Sequence, residues 1–189
     1  MTIQERKKKF EDRTKKISID EFYSFKERMD EGFHDYLEKK LWPIVGATVT
    51  SFNSLESGLD FALSDLMDKE EDFSHVIIKR MMFRGKVELL IDLLRVHSHA
   101  TATFTLEEVK ELKEKLNFAN TLRNRIIHSD WESMNTEDYV KSKLEVKEGK
   151  GIQFVLTRFT LEQLMNDAEF IDDVSAQIWT SDKFRPPRI

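Results

Sequence analysis

Five stretches in which apolar residues recur every three or four positions, three capping-box signatures and one pair of β-rich runs around glycines predict a mainly α protein. The expected architecture is an antiparallel helical bundle carrying a single β-hairpin. Composition agrees: 34% of residues are charged, 40% are hydrophobic, and only 6 Gly and 3 Pro occur in 189 residues, as long amphipathic helices require. The 14 Phe supply more apolar anchors than a disordered chain carries. A chain of this length buries roughly 70% of the surface it exposes when unfolded, so it needs neither a disulfide nor a structural metal to fold.

Each element has a local cause. In Ser18-Ile-Asp-Glu21 the serine and glutamate side chains can satisfy each other's backbone N–H groups, which marks a helix start. Behind it Phe22, Phe25, Met29, Phe33, Tyr36 and Leu37 form a stripe reaching about Lys40. Pro43 suits the first turn of the next helix, whose stripe is Val49, Phe52, Leu55, Leu59, Ala62, Leu63 and Leu66. A third helical region starts near Asp72 or Ser74 and carries Val76 to Leu94, with a bend or break expected at Gly85. The polar, β-branched run His97-Ser-His-Ala-Thr-Ala-Thr103 reads as a loop. Thr105-Leu-Glu-Glu108 caps a long helix with Val109, Leu112, Leu116, Ala119, Leu122 and Ile126 on one side. The period then changes to that of strands. Residues 139–146 and 152–157 flank a glycine-bearing turn and make a hairpin. Thr160-Leu-Glu-Gln163 caps the last helix, and Arg185-Pro-Pro-Arg-Ile189 reads as a tail.

Charge and cysteine usage exclude several function classes. With no cysteine, the chain has no disulfide framework, zinc finger, iron–sulfur cluster or thiol nucleophile. The opening residues contain no apolar core, so no secretory leader is expected, and no apolar run approaches a membrane span. The expectation is a soluble, cytoplasmic protein without a membrane partner. Net charge is −5, from 30 basic and 35 acidic residues, unlike a strongly basic nucleic-acid binder. Residues 1–16, however, hold seven bases against three acids. That end reads as a solvated helix or tail, and it could add salt-dependent affinity for phosphate. Phosphate-binding and dinucleotide-binding glycine loops and the nucleophile elbow are missing, so no cofactor is expected. Carboxylates such as Glu107, Glu108, Glu111, Asp172 and Asp173 read as solvated helix faces.

Histidines are the natural candidates for chemistry. His34 and His75 stand among charged helical neighbours and read as surface residues. His97 and His99 have the spacing of two metal ligands on an extended segment, but no third ligand accompanies them, so no metal site is expected. His128 keeps different company, in Asn120-Thr-Leu-Arg-Asn-Arg-Ile-Ile-His-Ser-Asp-Trp131. On a helix Asn124 and His128 lie about 40° apart, whereas Arg123 lies about 140° from His128. An imidazole, with a reference pKa of about 6.5, can take a proton from a 2′-hydroxyl or give one to a leaving oxygen near neutral pH. A guanidinium can stabilise charge developing on phosphorus, and an amide can orient phosphate or imidazole. The set therefore suits metal-free phosphodiester cleavage. A structural role fits the same residues: Arg123 and Arg125 favour a helix C-terminus, His128 caps its last carbonyls and Trp131 packs beneath.

Arg123-Asn124-x-x-x-His128 resembles the Arg-polar-x(3–5)-His motif of HEPN domains (higher eukaryotes and prokaryotes nucleotide-binding). The setting is similar too, a motif at the end of a long helix followed by a hairpin and a closing helix. Phe52-Asn-Ser-Leu-Glu-Ser-Gly-Leu-Asp-Phe61 and Phe83-Arg-Gly-Lys-Val-Glu-Leu-Leu90 resemble the family's first two core helices. The resemblance implies a helical bundle of HEPN type over about residues 43–180, with the hairpin at about 139–157. Residues 1–42 would form a charged amphipathic helical extension and 181–189 a C-terminal tail. It further implies a homodimer that brings two motifs into one cleft, and a metal-independent endoribonuclease acting on an RNA substrate, as in toxins and phage-defence effectors. Arg123 would stabilise phosphate, Asn124 would orient it and His128 would act as general acid/base, with an antitoxin or regulatory protein as a further partner. The alternative is a non-catalytic helical module that binds a partner protein, nucleotide or RNA.

Overall fold

The computed structural model describes residues 2–20, 37–67, 71–101, 104–128, 130–133, 138–147, 151–181 and 184. The expected stripe from Phe22 to Tyr36, with His34, and the tail at 185–189 lie outside them. The described elements are α1 (Ile3–Glu11), β1 (Thr14–Ile17), a π-helical turn (Leu37–Leu41), α2 (Trp42–Met67), α3 (Glu71–Arg80), α4 (Phe83–Thr101), α5 (Leu106–Ile127), β2 (Asp130–Ser133), β3 (Asp138–Lys147), β4 (Gly151–Thr160) and α6 (Leu161–Thr180). The protein is mainly helical, with a small antiparallel sheet in strand order β1-β4-β3-β2.

Local signals place the helix starts. The Thr105 N–H donates to Glu108 Oε2 at 2.8 Å, and the Glu108 N–H donates to Thr105 Oγ1 at 3.2 Å. Thr160 and Gln163 make the same reciprocal pair at 3.0 and 3.3 Å. A third box at α1, between Thr2 and Glu5, has the same sequence signature. Pro43 is the second residue of α2 and follows directly on the π-helical turn Leu37–Leu41, so it stands at the junction of the two helical forms rather than at a free helix start.

Two expectations need correction. Residues 97–101 are not a loop; α4 runs through Thr101, while 102–103 lie outside the described residues. Extending an existing helix costs far less than starting one, and this stretch contains neither glycine nor proline. The break expected at Gly85 falls at Met81 and Met82, so Gly85 belongs to the first turn of α4.

The chain divides into two compact units, Met1–Ala47 with Asn124–Ala168, and Thr48–Arg123 with Glu169–Ile189. The first holds the whole sheet. The expected hairpin is β3 and β4, paired from Asp138↔Thr160 to Lys147↔Gly151. Gly151 opens β4 at φ 67°, where a side chain would strain the backbone. Two short strands extend this hairpin: Thr14–Ile17 pairs with β4, and Asp130–Ser133 pairs with β3. Residues 14–17 are thus strand rather than part of a helical extension. The core of this unit gathers Leu41, Ile44, Ile126, Phe159, Leu164 and Ala168, with Phe10, Val45, Trp131 and Leu161 packed against it.

Among the described residues, the second unit contains helices and no strand. Leu55, Leu59, Leu63 and Leu66 of α2, Leu90 and Leu94 of α4, Leu112, Leu116 and Leu122 of α5, and Ile171, Val174 and Ile178 of α6 are buried, as their stripes predict; Val76, Ile77 and Met82 of the third expected stripe are instead exposed, and Ile78 and Ile91 are buried. The α2 and α6 helices approach closely at Gly58, where an added Cβ would stand 3.0 Å from Ile178 Cγ2. Beside this contact the Trp179 indole N–H reaches the Ser54 carbonyl at 3.1 Å.

An ionic network is buried in the same unit. Lys86, 3% exposed, places Nζ 2.7 Å from Asp60 Oδ1 and 2.9 Å from Glu56 Oε1, and Lys79 Nζ stands 3.0 Å from Asp60 Oδ2. Burial disfavours the Lys86 ammonium, but the two carboxylates outweigh it and hold the group above the ordinary lysine range.

Candidate functional site: the C-terminal end of helix α5

The motif residues sit where α5 gives way to β2. The His128 N–H donates to the Asn124 carbonyl at 3.1 Å, a final bond of α-helical spacing. Two residues later β2 has begun, so the last helical carbonyls need donors from elsewhere. Trp131 supplies one: its indole N–H donates to the Ile126 carbonyl at 2.9 Å, and its ring meets Phe159 edge-on at 5.7 Å. Trp131 packs as the structural reading of the sequence anticipates, and it also donates to a last-turn carbonyl, a role which that reading gave to His128. Trp131→Phe keeps the ring contact and removes the donor. It should lower unfolding free energy by about 1 kcal/mol in urea titrations, and an unchanged midpoint would contradict the capping role.

Of the predicted site residues, Asn124 and His128 are both exposed and, four positions apart, share one face of the helix end. Arg123, one residue earlier, belongs to the second unit. It is half-buried, with its guanidinium carbon 5.3 Å from the centre of the Phe52 ring. His75 is exposed, as expected.

Arg125 takes part in a cluster within the first unit that sequence reasoning missed. Its guanidinium carbon lies 3.4 Å from the centre of the Phe10 ring, and Arg13 stands 5.7 Å from that of Phe159. Arg13 also donates from Nε to the Lys9 carbonyl at 2.6 Å and from Nη1 to Gln163 Oε1. Arg6 donates to the Asn166 carbonyl at 3.1 Å and stands 3.6 Å from Asp167 Oδ1. Burial pushes Arg125 down from its ordinary value, with Asp167 and Glu11 opposing and Arg13 adding to the shift. Burial likewise lowers Arg13, against the pull of Asp167.

Asp167 shows which effect dominates there. Its side chain is only 18% exposed, and burial pushes its carboxyl up to about 6 although Arg6, Arg13 and Arg125 all pull the other way. A carboxyl raised from 3.8 to about 6 keeps its proton in the folded state after the unfolded chain has lost it. Its contribution to stability is therefore complete below pH 3.8 and is lost as pH rises through about 6. The loss is about 3 kcal/mol at most. Asp167→Asn should stabilise the protein at pH 7.5 by about 1–3 kcal/mol and flatten the pH dependence of unfolding between pH 4 and 7. Parallel stability–pH curves for the two proteins would overturn this assignment.

Among the described residues, no group of three or more His, Asp or Glu is placed to hold a metal ion, and no helix is long and apolar enough to cross a membrane. The exposed carboxylates Glu107, Glu108, Glu111, Asp172 and Asp173 lie on solvated helix faces, as read from sequence. Comparison of the chain with family models, with curated proteins and with solved structures gave no match.

Proposed function

We propose that the protein is a metal-independent endoribonuclease of HEPN type that acts as a homodimer, in the manner of a toxin or phage-defence effector. The observation that carries this reading is the exposed Asn124 and His128 pair on one face at the end of α5, within the sequence Arg123-Asn124-x-x-x-His128. An exposed imidazole at a helix end is open to a substrate, and a neighbouring amide can orient it or the phosphate. His128 takes the proton from the ribose 2′-hydroxyl as 2′-O attacks phosphorus. The P–O5′ bond breaks, and an imidazolium, from the same residue or from its partner-subunit copy, returns a proton to the leaving oxygen. The products are a 2′,3′-cyclic phosphate and a 5′-hydroxyl, with no net consumption of protons. Arg123 offers a permanent positive charge to the phosphorane. The test is a single-stranded RNA oligonucleotide beside its all-2′-deoxy counterpart in EDTA. Cleavage of the RNA alone, with cyclic-phosphate ends, is the expected result. Cleavage of both, or dependence on added metal, would refute the mechanism.

A second reading, a non-catalytic helical module, is favoured by one feature: Trp131 on the Ile126 carbonyl and Arg123 on Phe52 give two members of the cluster structural work. It expects neither substrate to be cut.

A further inference from the structure

The lysine-rich start of the chain is a folded part of the first unit. Phe10 of α1 carries the Arg125 guanidinium on its ring and lies 5.9 Å from Phe159, and Arg6 is tied to Asn166 and Asp167 of α6. Arg125 directly follows Asn124 and precedes His128 by three residues, so α1 is packed on the helix end that presents the candidate site. Lys7, Lys8 and Lys9 of α1 are exposed to solvent. Glu5, an acid on the same helix, is bonded to the Thr2 backbone N–H at 2.7 Å. Arg6, Arg13 and Arg125 below them outnumber Asp167 and Glu11, the carboxylates that act on this cluster. Residues 1–16 therefore concentrate a net charge of +4 in a chain of net −5.

We infer that α1 binds the phosphate backbone of single-stranded RNA through Lys7, Lys8 and Lys9, which fan out at about 100° per residue across its solvent side, and holds the strand beside Asn124 and His128. The inference deepens the ribonuclease reading and rests on it for the identity of the polyanion. A rigid helix presents its cations at fixed spacing to a flexible backbone, and each phosphate neutralised releases condensed counterions. Such contacts carry no base preference, so they predict affinity rather than sequence choice.

The experiment measures binding of a fluorescent single-stranded RNA carrying 2′-O-methyl groups throughout, which cannot undergo 2′-hydroxyl attack, as salt is varied. Wild type is compared with Lys7→Ala/Lys8→Ala/Lys9→Ala, whose positions are exposed and helical. A control variant removes three exposed cations of the second unit, Arg80→Ala/Arg84→Ala/Arg95→Ala. Wild-type affinity should fall as salt rises. The lysine variant should bind on the order of tenfold more weakly, with the log–log salt slope reduced by about 2, and the control should match wild type within about twofold. Equal losses in both variants, wild-type affinity in the lysine variant, or no RNA binding alongside binding to phosphatidylserine vesicles would each overturn the inference. Cleavage of unmodified RNA is read separately. A chain that cuts RNA without this binding pattern refutes the α1 contact and leaves the ribonuclease reading standing; the converse result does the opposite.

Discussion

Replacing Lys86 by methionine should destabilise the protein by about 3–5 kcal/mol, the loss expected when one partner of a buried ionic group is removed. Methionine preserves most of the volume, so little of that loss is cavity. What remains is Asp60, 6% exposed, deprived of the cation 2.7 Å from its Oδ1. Lys79 is the natural control because it approaches the same carboxylate, at 3.0 Å, from a side chain 68% exposed. Solvent screens that pair, so Lys79→Met should cost less than about 1 kcal/mol. Urea denaturation of the two variants at neutral pH decides the matter. Equal small losses would mean that the Lys86 ammonium reaches water and the network is not a buried one. Domains have about 5–15 kcal/mol to lose, so Lys86→Met should also depress thermal unfolding strongly. Because its ammonium is held above the usual lysine range, the stabilisation should persist through neutral pH and fade only at strongly alkaline pH.

His128→Ala should lower the rate of RNA cleavage by about 10²–10⁴-fold, the contribution of a positioned general acid or base. The side chain is exposed, so its removal should change the urea midpoint little. Asn124→Ala, also exposed, should reduce cleavage with equally little effect on stability. Arg123→Ala is a less clean variant. Its guanidinium lies over Phe52, so the substitution removes packing and a cation–π contact together with any charge offered to phosphate. Loss of activity in Arg123→Ala therefore carries weight only beside its measured stability.

What the sequence made legible follows the range of the interactions involved. The capping boxes at Thr105 and Thr160 were readable because donor and acceptor lie three residues apart. The stripes on α2, α5 and α6 were readable because burial repeats with the helical period. β1 and β2 were not readable. Thr14-Lys-Lys-Ile17 and Asp130-Trp-Glu-Ser133 are four residues each and strongly polar, and their extended form depends on pairing with β4 and β3. The buried Asp60 and the half-buried Asp167 left a fainter trace. Asp60 stands between Leu59 and Leu63, and Asp167 between Leu164 and Ile171, so both interrupt apolar faces rather than polar ones. A carboxylate on the buried side of a stripe implies a partner, but helical spacing does not say which chain segment brings it. At the candidate site, the i, i+4 relation of Asn124 and His128 was visible in advance. The roles of Phe52 under Arg123 and Phe10 under Arg125 were not, since both rings are distant in sequence.

The most direct test is incubation of the purified protein with total RNA in EDTA, wild type beside His128→Ala. The ribonuclease account requires cleavage by wild type, leaving 2′,3′-cyclic phosphate ends, and a loss of at least 10²-fold in the variant. Cleavage by both proteins at equal rates, or by neither, would contradict it.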